Sequence, residues 1–567
     1  MMTQRITTLL VAIALITLAA TAQNAQKSTS NGKKSTIQLT QQYINFLKKK
    51  AQGKQQIAQK RSSDPATVTR EQKVKEAEST QENDADESFD DFMGDLNANF
   101  DDFNQSMQQD FENFRNQINE AYANFLREAW KQFDADAPIP QPKEKDVPPV
   151  IKPQEDKSQP RPQEDRVLPI KPVVVTIPKA EPQPEPIEPI EPIEEQTKGD
   201  APQYVDFTVF GTQCRIRFGD EERFRLPAVN KDAIADLWVR LATPAYNNTL
   251  HDCLQLRRDH QFSDWAYLHL LDSASQACLG KGNEATLLMA YLYCQSGYKM
   301  RMGIADNRLF MLFGSKHVLF NRSYYTIGDC YYYPYGGNAE KLYICEVPFP
   351  QEQPLSMLLP QEQRFDYEAS APRSLKSAAF PKVLVEATVN KKALSFYASY
   401  PPSMINENQQ TLWAMYANMP MPKAISQTFM AAMKEKIAGL SQLEAMERLL
   451  NFVQTAFVYE YDDKVWGCDR AFFPEETLYY PYCDCEDRSI LLSRMVRDLL
   501  GLHCVLIHYP GHLAMAVQFT DDVKGDCIML QGEKFTVCDP TYIGAHVGET
   551  MPGMNNAEAK AILLENK

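Results

Sequence analysis

A chain of 567 residues is too long for a single domain. Its net charge of −15 at pH 7 argues against nucleic acid as a partner. An apolar fraction of 44% leaves room for a globular core, but 36 prolines, unevenly placed, call for extended segments too. In chain order, residues 1–22 read as a secretory signal. Arg5 supplies positive charge, 6–20 is an apolar run, and Ala20-Thr21-Ala22 is a small-residue cleavage site. The chain is therefore expected to be exported, to the periplasm or outside the cell. No transmembrane anchor is expected, because this run is too short and no later one is long enough. Residues 23–83, rich in Lys, Gln and Ser, are expected to be mostly disordered.

Residues 84–134 carry an internal repeat. Phe89, Phe100, Phe111, Tyr122 and Phe133 are spaced by eleven, and so are Phe92, Phe103, Phe114 and Phe125. The intervals cycle three, four, four. That is a helical stripe of period about 3.67 residues, which predicts one long amphipathic helix. An aromatic stripe must be buried in something. The expected partners for 89–133 are a second copy, the chain's own globular part or a partner protein. A membrane surface fits less well, because the polar face is acidic. Residues 135–202 form a Pro-rich acidic linker. Its Pro184-Glu185-Pro186-Ile187-Glu188-Pro189 repeat cannot be a helix and predicts an extended spacer.

Folded material resumes near Tyr204. Alternation over 205–218 predicts strands, and 232–241, 250–256 and 264–279 predict helices. In 346–423 a β-rich connecting region is expected, with strands over 380–400. Residues 424–457 are expected to be helical and to lead into the C-terminal module, 424–567.

That module holds the chemistry. Cys483-Asp484-Cys485-Glu486-Asp487-Arg488-Ser489 opens an apolar helical run that stops at Gly501. A β-like run follows, then Gly511-His512-Leu513-Ala514. The stretch closes with Phe535-Thr536-Val537-Cys538-Asp539-Pro540-Thr541. Cys at a helix start, His at a strand start and Asp at a strand end make a plausible thiol triad. Amides and dipole at the helix N-terminus favour a thiolate at Cys485, and the backbone amide of Cys485 is placed to hold an oxyanion. Each residue has a plainer reading. Cys485 could be bridged, His512 could be a core residue, and Asp539 before Pro could be a turn residue. Cys483 competes with Cys485 but is read as a disulfide partner of Cys468 or Cys538. His503 and His508 compete with His512, and the first lies too near the helix end. Tyr479, Tyr480 and Tyr482 could line an acyl site or simply pack. Asp487 is read as a structural helix-start residue. Twelve cysteines in an exported chain allow disulfides elsewhere.

The stretch from Leu440 to Leu563 resembles the transglutaminase-like superfamily, whose core is related to papain-type thiol enzymes. Cys485-Glu486-Asp487-Arg488-Ser489 fits its Cys-x-Asp-x-(Ala/Ser) helix head, and Asp539-Pro540-Thr541 fits its Asp site. Two departures stand out. Tyr482-Cys483-Asp484 lies where many relatives have Gly, and Leu513-Ala514 follows His512 where an aromatic is common. The resemblance implies an α+β fold, with a Cys-bearing helix packed on an antiparallel sheet that bears His and Asp. It implies a Cys485–His512–Asp539 triad acting on a protein or peptide amide. No metal-ligand cluster stands out among the residues, so no cofactor or metal is expected, although some animal relatives use calcium. Water would resolve the acyl-enzyme in a peptidase, an amine in a cross-linking transglutaminase. The rival class is a non-catalytic envelope scaffold or binding protein.

A second, weaker likeness is internal to the chain. With Lys281 set against Cys485, Asn283 meets Asp487, Ala285 meets Ser489, Gly297 meets Gly501 and Arg308 meets His512. Tyr325 to Asp329 then meets Phe535 to Asp539. Residues 203–345 are on this reading a degenerate copy that cannot run thiol chemistry.

Overall fold

The computed structural model describes residues 115–143, 146–152, 161–173, 182–185 and 203–565. The expected signal, the expected disordered tract and the repeat up to 114 lie outside these residues. The chain divides into two compact units between Ala121 and Tyr122. What is described of the first, 115–121, is helical.

Residues 122–128 are helical, but the long helix does not reach 134. Trp130–Asp134 is instead a strand, β1. Trp130 and Phe133 favour a pleated surface, and Trp130 Nε1 donates back to Leu126 O (2.5 Å). Tyr122, from the aromatic stripe, packs on the chain's own Trp238 and Phe349 at ring distances of 5.0 and 5.3 Å.

The Pro-rich stretch is extended where described, but it does not stand clear of the fold. It supplies β2 (Arg166–Val167) and β3 (Lys171–Val173). After a hairpin of Tyr204–Val209 and Thr212–Arg217 come helices α1 (Lys231–Leu241), α2 (Asp264–Leu279) and α3 (Asn283–Gln295). Asn230 and Ser263 cap α1 and α2 through their side-chain oxygens. Strands β4 (Met300–Ala305), β5 (Arg308–Ser315), β6 (Tyr325–Ile327), β7 (Cys330–Pro334) and β8 (Lys341–Cys345) follow. They form an antiparallel sheet in the order β1-β8-β4-β5-β7-β6.

The connecting region is mixed rather than β-rich. Of the strands expected over 380–400, only Leu384–Ala387 is present, and Lys391–Ser399 is a helix. Asn390 Oδ1 accepts the Lys392 N–H and starts that helix, which overrides the β-like run before it. The C-terminal module then supplies α4 (Gln442–Ala456), with a Ser441/Glu444 capping box, and α5 (Cys485–Met495). The turn Val496–Leu500 continues α5 to Gly501, whose φ of 65° closes it in the left-handed region. Strands β9 (His503–Tyr509), β10 (His512–Gln518), β11 (Asp526–Leu530), β12 (Glu533–Cys538) and β13 (Lys560–Leu563) complete the chain.

These build a seven-stranded sheet, β2-β11-β12-β10-β9-β13-β3. Its five central strands are antiparallel, and β2 and β3 add in parallel at the two edges. One short stretch, 166–173, thus covers both edges that would otherwise present unpaired backbone. On the way, Leu168 and Ile170 enter the core under Val505, Ile507, Ala514, Ala516 and Val537. Helix α5 packs on β10, between α4, Thr411–Asn418 and Pro474–Tyr479. Its two sides are both enclosed, so Ile490, Leu491, Leu492 and Met495 are all buried. The fold is α+β, and among the described residues no helix is long and apolar enough to cross a membrane.

The two sheets share a topology. In each, a buried helix (α3 or α5) precedes two hairpins and a closing strand. The spatial order is closing, first, second, fourth, third: β8-β4-β5-β7-β6 and β13-β9-β10-β12-β11. Each helix packs on the second strand of its own sheet.

Candidate active site

Cys485 is the first residue of α5, His512 the first of β10, and Asp539 follows β12 directly. All three are buried. His512 Nε2 meets Asp539 Oδ2 at 2.9 Å. The other carboxylate oxygen, Oδ1, accepts the Thr541 and Tyr542 N–H groups at 2.8 and 3.2 Å. This turn fixes the carboxylate against the imidazole. With Asp539 accepting at Nε2, a neutral imidazole carries its lone pair at Nδ1. That Nδ1 is buried and has no partner.

Cys485 is held one residue along from His512. Its Sγ accepts the Leu513 N–H at 3.4 Å. Ser489, four residues on and so on the same helix face, donates its hydroxyl to Leu513 O at 2.8 Å. The helix thus grips both backbone groups of the residue after His512. This gives the Cys-x-x-x-Ser spacing a physical reason.

Two buried polar side chains brace the frame. Arg488 donates to Gln454 O, Phe457 O and Pro540 O at 3.2, 3.0 and 3.4 Å. Gln454, on α4, donates to Asp539 O, Tyr542 O and Ala545 O and accepts from Gly544 N. Both tie the Asp539 loop to the helices. Asp487 serves structure, as expected: its carboxylate accepts from Phe472 N (2.7 Å) and Asp484 N (3.4 Å).

The electrostatics differ from the expected thiolate. Burial pushes the Cys485 thiol well above its ordinary range, the charges of Glu486 and Asp484 push the same way, and the Leu513 amide pulls it down. Sγ also lies 3.1 Å from Glu486 Oε2. Burial and the acidic neighbours thus favour the protonated thiol. The residues on either side of Cys485 are acidic, and desolvation outweighs the helix dipole. Asp462, Asp469 and Glu486 bring carboxylate oxygens within 4.8 Å of one another, close enough to share a cation. Burial first, then the Glu486 charge, raise Asp462 to about 8 and Asp469 to about 7.

The competitors are placed elsewhere. All twelve cysteines are free, so Cys483 bridges neither Cys468 nor Cys538; it is buried, while Cys468 is exposed. His508 packs on Trp413 at 4.5 Å, and His503 is exposed at the strand start. Tyr479 and Tyr482 are exposed, and Tyr480 stacks among Trp466 and Phe472. Sequence reasoning missed Tyr459. Its hydroxyl is buried without a partner, burial raises its pKa, and Cys485 is the first of the charges acting on it. The Arg488 guanidinium lies over its ring. Only its place three residues after the end of α4 could have signalled it.

The first sheet carries a parallel arrangement. Arg308 opens β5 across the turn from Ala305, as His512 opens β10 across the turn from Tyr509. Leu309 N–H donates to Asn283 Oδ1 at 2.9 Å, the bond that Leu513 makes to Cys485. Tyr335 N–H pairs with Met311 O as Cys538 pairs with Met515, which sets Gly336 at the place of Asp539. Arg308 donates to Gly336 O at 2.7 Å. The sequence register differs at two points. Asn283, not Lys281, holds the thiol's place, because α3 starts two residues late. The counterpart of β12 is β7, not the strand at Tyr325.

No family model and no curated protein matches this chain.

Proposed function

We propose that this chain is an exported thiol acyl-transfer protein of transglutaminase-like, papain-related type. It hydrolyses peptide or amide bonds through Cys485, His512 and Asp539. The observation that carries this reading is the buried His512–Asp539 pair. Its carboxylate takes Nε2 and leaves the buried Nδ1 without a partner, one residue before the Leu513 that bonds Cys485.

In the proposed reaction His512 Nδ1 takes the thiol proton. The sulfur attacks the substrate carbonyl carbon, and a C–S bond forms. The amide C–N bond breaks, and the amine leaves with the proton from Nδ1. Water then attacks the thioester and gives a proton to Nδ1. The C–S bond breaks, the acid leaves, and the proton returns to sulfur. Asp539 fixes the ring and stabilises the imidazolium. A protonated resting thiol suits this order, in which substrate and proton transfer come together.

Residues 203–345 are on this reading a copy without chemistry. Asn283 cannot act as a nucleophile, Arg308 does not shuttle protons at neutral pH, and Gly336 offers no carboxylate. The shared strand order supports it. The rival is a scaffold of two such modules, and one observation favours it: Cys485 is buried beside two acidic side chains.

The test is alkylation with dilute iodoacetamide near neutral pH, mapped by mass, beside Cys485→Ala and His512→Ala. A rate of Cys485 labelling that falls with His512→Ala, however slow it is in the unaltered chain, is the expected result. Labelling no faster than that of an ordinary free thiol, and indifferent to His512, supports the scaffold.

A further inference from the structure

The stretch 146–152, Asp146-Val147-Pro148-Pro149-Val150-Ile151-Lys152, bonds to residues flanking His512 and Asp539 and runs on from the acidic cluster beside Cys485. Val147 N–H donates to Gly511 O at 2.9 Å, and Gly511 is the residue before His512. Val150 and Ile151 pair in parallel with Tyr542 and Ile543, three and four residues past Asp539. Asp146 faces Asp462 and Asp469, whose carboxylates cluster with Glu486, the residue after Cys485. Upstream, Gln141 bonds Asp469 and Lys143 pairs with Asp463. Downstream, Lys152 Nζ pairs with Glu549 at 2.7 Å and its amide donates to Ile543 O at 2.9 Å. The bonds at Gly511 and at Tyr542 and Ile543 carry this path past the imidazole and the carboxylate, and the Gln141 and Lys143 contacts bring it in past the acidic cluster that holds Glu486.

The seating is that of a peptide in a groove. Prolines at 148 and 149 hold the chain extended, with three residues per turn, so Val147 and Val150 fall on one side. Both pack on Tyr542, Ala545 and Met551. Backbone bonds give such a strand its affinity, and the paired apolar side chains give it selectivity.

We infer that residues 146–152 occupy, in cis, the groove through which an extended polypeptide reaches Cys485, so that the site works only when this strap is displaced. The inference rests on the catalytic reading above. It names the substrate as an extended, proline-tolerant polypeptide with apolar residues at positions i and i+3. The strap takes that place itself and shields Cys485.

The test uses the full chain with Val147→Asp and Val150→Asp together. These set two charges against the apolar patch. The readout is the rate of Cys485 alkylation, with exposed Cys468 as the internal reference. Release is expected to speed Cys485 labelling by about tenfold or more and to leave Cys468 unchanged, because labelling of a covered thiol follows its open population. A synthetic peptide of residues 146–152 added in excess restores the slow rate, and a scrambled peptide does not. A Cys485 rate that stays within about twofold of the parent, or a rise that the peptide does not reverse, overturns the strap. If the double variant also exposes the core cysteines, Val150→Thr with Lys152→Ala takes its place under the same criterion. The two readings fail separately. Faster labelling that is indifferent to His512→Ala keeps the strap and sinks the catalysis. Fast, His512-dependent labelling in the unaltered chain keeps the catalysis and sinks the strap.

Discussion

Replacing Gln454 by Leu tests whether the Asp539 loop is held from α4. Gln454 is 1% exposed, so its bonds are made without water. The amide nitrogen donates to Asp539 O at 3.2 Å, Tyr542 O at 2.8 Å and Ala545 O at 3.2 Å, and Oε1 accepts from Gly544 N at 3.2 Å. Leucine is of similar size, so the cavity cost is small. Tyr542 O keeps the Ala545 N–H, and Gly544 is exposed and can turn to water. That leaves the carbonyls of Asp539 and Ala545 buried without a partner. At about 1–3 kcal/mol each, less some relaxation of the loop, the loss is about 3 kcal/mol. Hydrogen exchange read by mass spectrometry on peptides covering 539–551 is the assay. Protection there falls by about a hundredfold, since each 1.4 kcal/mol is tenfold. Protection in β4 and β5 of the other sheet is unchanged. A fall below about fivefold, or an equal fall in both sheets, refutes the claim that Gln454 acts locally on this loop.

Ser489→Ala frees Leu513 O from α5 and costs about 1 kcal/mol; it lowers alkylation of Cys485 without changing its dependence on His512, read by labelling and thermal unfolding. Tyr459→Phe removes a buried hydroxyl with no partner, so stability rises or holds within about 1 kcal/mol, while a twofold-or-smaller change in Cys485 labelling assigns that hydroxyl no part in the chemistry. Asp539→Asn keeps the shape but not the charge, and slows turnover by about a thousandfold or more on any substrate found, with KM nearly unchanged. A pH series of chemical denaturation tests the acidic cluster. The folded values of Asp462 (about 8) and Asp469 (about 7) exceed their unfolded value of 3.8, so the folded state binds more protons. Stability is therefore full below about pH 4 and is lost as pH rises through 7 to 8; Asp462→Asn flattens this slope, by about 2 kcal/mol at pH 8.

Much of the C-terminal module could be read from residues. The helix from Cys485 to its stop at Gly501 follows from apolar periodicity and a glycine in the left-handed region, both local. The strands at His512 and Glu533 follow from β-branched and apolar runs next to turn signals. The contact of His512 with Asp539 follows from neither, because the pairing of β10 with β12 is set at long range. Two of the misreadings have different origins, one long-range and one local. The aromatic stripe continues through Phe133, but strand pairing of Trp130–Asp134 with Lys341–Cys345 overrides it. The strand-like 380–400 run contains Asn390, whose cap decides the helix. The extended spacer read from the repeat at Pro184 lies mostly outside the described residues, and nothing in the prolines signalled that 146–152 and 166–173 would be laid on the sheet. What seats them is the partner surface at Tyr542 and the sheet edges, which no local window contains. Burial of Cys485 among acidic side chains was hidden for the same reason: Glu486 and Asp484 were visible, but their desolvation was not.

Whether Cys485 carries an acyl group is read from the intact and peptide mass of the strap-released protein after brief exposure to a small activated acetate ester. One acetyl group is expected, on Cys485, that is lost with time in water, forms at least about a hundredfold more slowly in His512→Ala and is absent from Cys485→Ala. Acetyl groups spread over Cys468 and other thiols, with Cys485 no faster than they are, would contradict the catalytic reading and leave a scaffold of two related modules.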